Sequence, residues 1–144
     1  NCTIVSNTAA GVRWRDWGAS NLDNPHLRLV NSIVYWNSVA NLIVPLVEDP
    51  AYTNLAIHSC FSPTNIANLV TEPSCTEAAP VFRDFAARDY RLANHSPGVN
   101  AGWNEAWMTG TRDLDGAPRV DRVHGVVDMG CYEYVYRGTA ILVR

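Results

Sequence analysis

The sequence predicts an all-β chain wound as a solenoid, and two observations carry that prediction. Asn1-Cys-Thr-Ile-Val-Ser-Asn7 and Asn31-Ser-Ile-Val-Tyr-Trp-Asn37 share one pattern, an asparagine at each end of five β-branched, aromatic or small residues. Such interiors fit a pleated, half-buried surface, and recurrence at a fixed period is the mark of stacked coils. No stretch before residue 78 sustains apolar residues at i, i+3, i+4 and i+7, the stripe an amphipathic helix needs.

The elements follow in order. Strands are expected at residues 1–7 and 31–37, with a weaker copy at Asn54-Leu-Ala-Ile-His-Ser-Cys60, so the coils start at residues 1, 31 and 54. Between them lie Gly11-Val-Arg-Trp-Arg-Asp-Trp-Gly18 and Leu27-Arg-Leu-Val30, where Leu27 and Leu29 alternate with Arg28 at the period of a strand. After Pro63, Asn65 to Thr71 is the one helix-compatible stretch of the first half. Asparagine at the strand ends has a physical reason: it tolerates left-handed backbone, and its amide satisfies groups that a corner would orphan. Stacked corners would then form a ladder of amide hydrogen bonds, a use for the chain's thirteen asparagines.

Composition bounds the function. The chain has 144 residues, 47% of them apolar and 17% charged, which excludes a disordered chain; no run of 18 apolar residues is present to insert in a membrane. The net charge is −3 and all eleven basic residues are arginines, scattered with their densest groups at Arg13/Arg15 and Arg83/Arg88/Arg91. A nucleic-acid binder would need a basic stripe, so that class is excluded. The chain opens on Asn1 with no secretory leader pattern. It is therefore expected to be a processed product or a piece of a longer chain. The first coil would then have an open end that either follows an upstream segment or docks on another copy or partner.

The second half changes character near Ala78. Pro80-Val-Phe-Arg-Asp-Phe85 is followed by Asp89-Tyr-Arg-Leu92, Ser96-Pro-Gly-Val-Asn-Ala-Gly102, Asp113-Leu-Asp-Gly-Ala-Pro-Arg-Val120 and Val126-Val-Asp-Met-Gly-Cys-Tyr-Glu-Tyr134. This order of motifs resembles the C-terminal end of right-handed parallel β-helix repeat proteins of the choice-of-anchor class, Q type. It covers residues 78 to 134 closely and the Asn-bounded strands more loosely, and it departs at Cys131, where the class usually has alanine. The resemblance implies a right-handed parallel β-helix with a C-terminal cap, truncated at its N-terminal end. Residues 1–78 would form coils with loops, and residues 79–144 the last coil and capping region. Within the cap, Asp115-Gly116 reads as a turn, and His124-Gly125 as the turn of a hairpin between residues 120–123 and 126–128. Tyr132, Tyr134 and Tyr136 would share one face of a strand covering the open end, where unpaired N–H and C=O groups need protection.

Candidate sites come from the remaining chemistry. Cys2, Cys60, Cys75 and Cys131 match no metal-ligand spacing. Cys60 and Cys75 either close a short loop as a disulfide or pack as thiols, while Cys2 and Cys131 are read as buried thiols. Asp113, Asp115, Asp121, Asp128 and Glu133 are hard donors suited to calcium, with Asp113 and Asp115 its foremost candidates, but they lack the alternating ligands of a calcium loop. The opposing reading is that Asp115, Asp128 and Glu133 pair with Arg119 or cap backbone amides. His26, His58, His95 and His124 are too dispersed for a local zinc motif. No catalytic residue is assigned, because the repeat strands carry no aspartate or glutamate and glycoside hydrolysis needs paired carboxylates. Trp14, Trp17, Trp103 and Trp107 are the ligand-binding candidates: aromatic faces beside carboxylates and amides are the equipment of a sugar-binding surface, and they also anchor protein contacts.

The expected function is that of a non-enzymatic module at the surface of, or secreted from, a bacterial cell. It would serve structural display, adhesion, glycan contact or self-assembly, with a polysaccharide or surface partner and no cofactor beyond calcium. The alternative is the C-terminal part of a polysaccharide lyase or glycoside hydrolase.

Overall fold

A computed structural model describes residues 1–14, 27–44, 54–64 and 66–136. The fold is all-β: among these residues the regular elements are ten short strands and one turn of 3₁₀ helix, Ala106–Met108. No helix among them is long and apolar enough to cross a membrane. The strands form four small, separate sheets. The first joins β1 (Thr3–Val5), β4 (Ile33–Tyr35) and β7 (Cys60–Phe61); the second joins β2 (Val12–Arg13) and β5 (Leu42–Ile43). The third joins β3 (Arg28–Val30), β6 (Asn54–Ile57) and β8 (Leu69–Thr71), and the fourth is the hairpin of β9 (Phe82–Asp84) and β10 (Asp89–Leu92). The first three sheets are parallel throughout and the hairpin is antiparallel.

The register explains the repeat and corrects its third copy. Thr3 pairs with Ile33 and Val5 with Tyr35, as the two Asn-bounded segments predict. Ile33 then pairs with Cys60, so Asn31-Ser-Ile33 is matched by His58-Ser-Cys60 and not by Asn54-Leu-Ala56. Asn54 instead starts β6, whose Leu55 lies opposite Arg28 of β3. The fully buried Asn54 amide accepts the Leu27 N–H at 3.0 Å and donates to the Asn68 carbonyl at 3.2 Å. The helix-compatible stretch from Asn65 to Thr71 is likewise corrected: Leu69–Thr71 is a strand, because its partner β6 is already extended beside it.

Alternation along the first sheet feeds two apolar clusters. Ile4, Val34 and Phe61 point inward to meet Leu29, Ala56 and Leu69 of the third sheet and Val12 and Leu42 of the second. Ile33 and Cys60 point the other way, where Phe82, Leu92 and Met129 cover them together with Val5, Tyr35 and Val99. Part of the C-terminal region therefore lies on the outward flank of the first sheet. Its seat is defined by main-chain bonds from Gly130 N to the Asn31 carbonyl at 2.7 Å and from Met129 N to Gly98 at 2.9 Å. The Cys131 N–H adds a bond to Thr3 Oγ1 at 3.2 Å.

Two further expectations change here. Residues 120–128 form no hairpin; Asp121 to Gly125 is a tight turn in which the Asp121 carboxylate accepts the N–H groups of Val123 and His124. Residues 132–136 form no strand; Tyr134 and Tyr136 meet edge to face at 4.8 Å, while Tyr132 lies under the guanidinium of Arg91. All four cysteines are free. Cys2 is exposed and Cys131 half-buried, not the buried thiols expected. Cys60 faces the outer cluster and Cys75 packs on the inner one, so the sheet itself separates the proposed disulfide partners.

Candidate binding surface

The corner that precedes β4 and β7 carries two columns of polar side chains. Asn31 and His58 both adopt left-handed backbone, φ +49° and +44°, and so do Ser6 and Trp36 at the far end of the strands, φ +57° and +51°. The asparagine ladder is present as side-chain bonds from Asn31 to Asn1 at 3.4 Å and from Asn7 to Asn37 at 2.8 Å. Beside it runs a serine column that sequence reading missed. The Ser32 N–H donates to Ser59 Oγ at 3.1 Å and the Cys2 N–H to Ser32 Oγ at 3.3 Å. The signal was legible in Asn-Cys, Asn-Ser and His-Ser at equivalent positions.

The segment Gly98–Asn104 docks on this corner and positions Trp103. The Trp103 N–H donates to Asn31 Oδ1 at 2.6 Å and its carbonyl accepts from Asn31 Nδ2 at 2.8 Å. Next to it, His58 Nδ1 lies 2.8 Å from the Ala101 carbonyl, which makes Nδ1 the protonated nitrogen. The His58 ring then supports the Trp103 indole at 5.6 Å. Trp107 sits in the 3₁₀ turn, its indole N–H held by Glu105 at 2.6 Å. Trp103 and Trp107 are 55% and 54% exposed, so both rings present open faces from fixed mounts.

The other tryptophans divide. Trp14 is half-buried and extends the second sheet through its N–H to the Ile43 carbonyl, and Trp17 lies outside the described residues. Sequence reading overlooked Trp36 and Phe85, which are exposed and in ring contact at 4.8 Å. The available signal was alignment of Trp36 with the small Ser6 that follows the paired strand β1.

The acidic residues act as internal fasteners. Asp113 Oδ1 accepts the N–H groups of Asp115 and Ala117, and its Oδ2 accepts that of Glu133. Glu133 pairs with the buried Arg119 at 3.2 Å and accepts the Asp128 N–H at 2.9 Å. Asp128 accepts the N–H groups of Asn100 and Tyr134. Burial pushes Asp128 up to about 6 against those two donors, and Glu133 up to about 8 against the Asp128 N–H and Arg119. Asp115 turns away from Arg119 and pairs with Arg91, which holds the Asp115 and Asp89 carboxyls below their ordinary range. Among the described residues no group of three or more His, Cys, Asp or Glu side chains is placed to hold a metal ion.

No protein-family model, characterised protein or solved structure matches the chain.

Proposed function

We propose that this chain forms a right-handed parallel β-helix that works without catalysis, presenting a rigid surface that contacts glycans outside the cell. The architecture draws support from the two successive parallel pairings of the first sheet and from equivalent corners that share left-handed backbone. A cluster fed by all three parallel sheets adds to it. A right-handed course is the general rule for parallel crossovers.

One observation carries the function: the indoles of Trp103 and Trp107 stand more than half exposed on mounts made by His58, Asn31 and Glu105. Ring faces of this kind take the C–H face of a pyranose, and rigid aromatics bind at low entropic cost. The buried carboxylates Asp113, Asp128 and Glu133 are engaged by N–H and guanidinium donors, which favours scaffold over hydrolase.

The test is a titration of tryptophan fluorescence with neutral cello- and xylo-oligosaccharides, for the natural chain and for Trp103→Ala and Trp107→Ala. A saturable change lost in both variants is expected. Parallel incubation with polysaccharides, with and without calcium, should release neither reducing ends nor unsaturated products. Turnover in that assay would establish the lyase or hydrolase alternative, and a fluorescence change indifferent to both substitutions would remove the proposed surface.

A further inference from the structure

The open indole of Trp107 carries a charged group at its rim. Its ring N–H donates to Glu105 Oε2 at 2.6 Å, which fixes a carboxylate beside a side chain that is more than half exposed. A hydrogen bond to an ionised acceptor is short and strong, so ring and carboxylate are held as one unit.

Only one of the two carboxylate oxygens is used in that bond. Glu105 Oε1 takes no hydrogen bond from a described residue, and it is not one of the enclosed polar atoms left without a partner, so it stands open to solvent. No cation among the described residues neutralises it: Arg91 pairs with Asp89 and Asp115, Arg119 with Glu133, and His124 with Asp121. The Asn1 ammonium is near enough to feel the Glu105 charge, but it donates to the Val30 carbonyl at 3.0 Å and to Ser32 Oγ at 3.5 Å and forms no ion pair with Glu105.

This pairing selects for charge. A neutral sugar draws chiefly on the ring face, whereas a cation gains from two sources: the negative face of an indole, the strongest of the aromatic rings in this respect, and the carboxylate at its rim. A uronate would meet that carboxylate with like charge and be repelled.

We infer that Trp107 and Glu105 form a subsite for a protonated amino sugar, so that the glycan taken by this surface is a glucosamine polymer with free amino groups. The C–H face of the pyranose lies on the indole, and the equatorial ammonium at C2, which projects past the rim of the ring, meets Glu105 Oε1. This subsite rests on the reading of Trp103 and Trp107 as a glycan surface and names the class of glycan.

Calorimetric titration of the natural chain with cellotriose, tri-N-acetylglucosamine and triglucosamine tests the idea at about pH 5.5, where amines carry their proton. These trisaccharides share one backbone and differ at C2 alone, by hydroxyl, acetamide and ammonium. Triglucosamine should bind about tenfold more tightly than the other two, with a margin that shrinks as salt is added. Glu105→Gln keeps an oxygen for the Trp107 N–H and removes the charge, so it should abolish the margin and leave cellotriose binding unchanged. Equal affinity of the natural chain for cellotriose and triglucosamine would overturn this inference and leave the glycan surface standing, whereas binding of none of the three would remove both. A margin that survives Glu105→Gln, or loss of cellotriose binding in that variant, would reduce Glu105 to a mount for the ring and overturn the charge selection. Trilysine bound as tightly as triglucosamine would assign the pair to basic peptides and overturn it equally.

Discussion

The side-chain amide of Asn31 takes both main-chain groups of Trp103, accepting its N–H at 2.6 Å and donating to its carbonyl at 2.8 Å. One fully buried side chain thus does what a neighbouring strand would do, tying residues 72 positions apart. Replacing Asn31 by alanine removes both bonds and leaves a Cβ-bearing residue at φ +49°. A loss of about 2–4 kcal/mol is expected. Asn31→Gly keeps the backbone comfortable and should cost about 1–2 kcal/mol. Urea unfolding of the two variants checks the difference, and equal costs would show that the left-handed conformation plays no part.

Gly130 is where the C-terminal segment comes closest to the first sheet. A Cβ there would lie 2.7 Å from Thr3 Oγ1 and 3.1 Å from Ile33 Cδ1, on backbone at φ +98°. Gly116, at φ +81°, has nothing within 4 Å of its own Cβ position. Gly130→Ala should therefore cost about 2–4 kcal/mol and Gly116→Ala about 1 kcal/mol, the backbone penalty alone. Thermal melts separate the two outcomes, and similar melting temperatures would mean that the segment is not seated on Thr3 and Ile33.

What was legible in the sequence was local. Residues 3–5 and 33–35 announced themselves through β-branched interiors and asparagine ends, and the structure pairs them in register. The third copy was misread because Asn54 resembles the earlier strand starts, whereas its true counterpart, His58-Ser-Cys60, has exchanged asparagine for histidine and keeps only the serine. Trp103 was singled out as a candidate, but its mount was not legible, because the bonds to Asn31 and the contact with His58 join residues distant in the chain. Placement of Met129 on Ile33 was illegible for the same reason: a flank contact made by irregular backbone leaves no period to read. For Asp128 and Glu133 the reading as backbone caps and an Arg119 pair was legible and the bonds bear it out, whereas the pairing of Asp115 with Arg91 was not, because those residues are distant in the chain.

Those buried carboxyls set the expected pH dependence. In the fold Asp128 and Glu133 hold their protons up to about 6 and 8, against ordinary values of 3.8 and 4.5. The folded chain thus binds more protons than the unfolded one between those limits, so stability is full below them and is lost as pH rises through the folded values. Asp89 and Asp115 are shifted the other way by Arg91, and Glu77 by Thr64. Their contribution, small because they are exposed, is lost only as pH falls below the ordinary carboxylate range. Urea midpoints are expected to be highest near about pH 4 and to decline toward about pH 8.5. Glu133→Gln, which cannot ionise, should flatten the upper part of that decline; a midpoint that rises from pH 5 to 8.5 would contradict the assignment.

The cysteines give a test of which face of the first sheet is covered. Cys60 is fully buried between Ile33 and the C-terminal layer, and its Sγ lies 3.1 Å from the Ala78 carbonyl. Burial first, and then the nearby Cys75, push its thiol up to about 12. A thiol this far from ionising offers almost no thiolate to a disulfide reagent at neutral pH. Cys2 is exposed, and Cys75 and Cys131 are half-buried, with burial also raising Cys75. Reaction with a chromogenic disulfide should therefore modify Cys2 first, Cys131 and Cys75 more slowly, and Cys60 only on unfolding. Mass spectrometry of the partly labelled chain reads the order. Because Gly130→Ala lifts the layer that covers Cys60, it should bring labelling of Cys60 forward while leaving Cys2 unchanged. Early labelling of Cys60 in the natural chain would mean that the flank of the first sheet is open and that Met129 and Phe82 do not cover it.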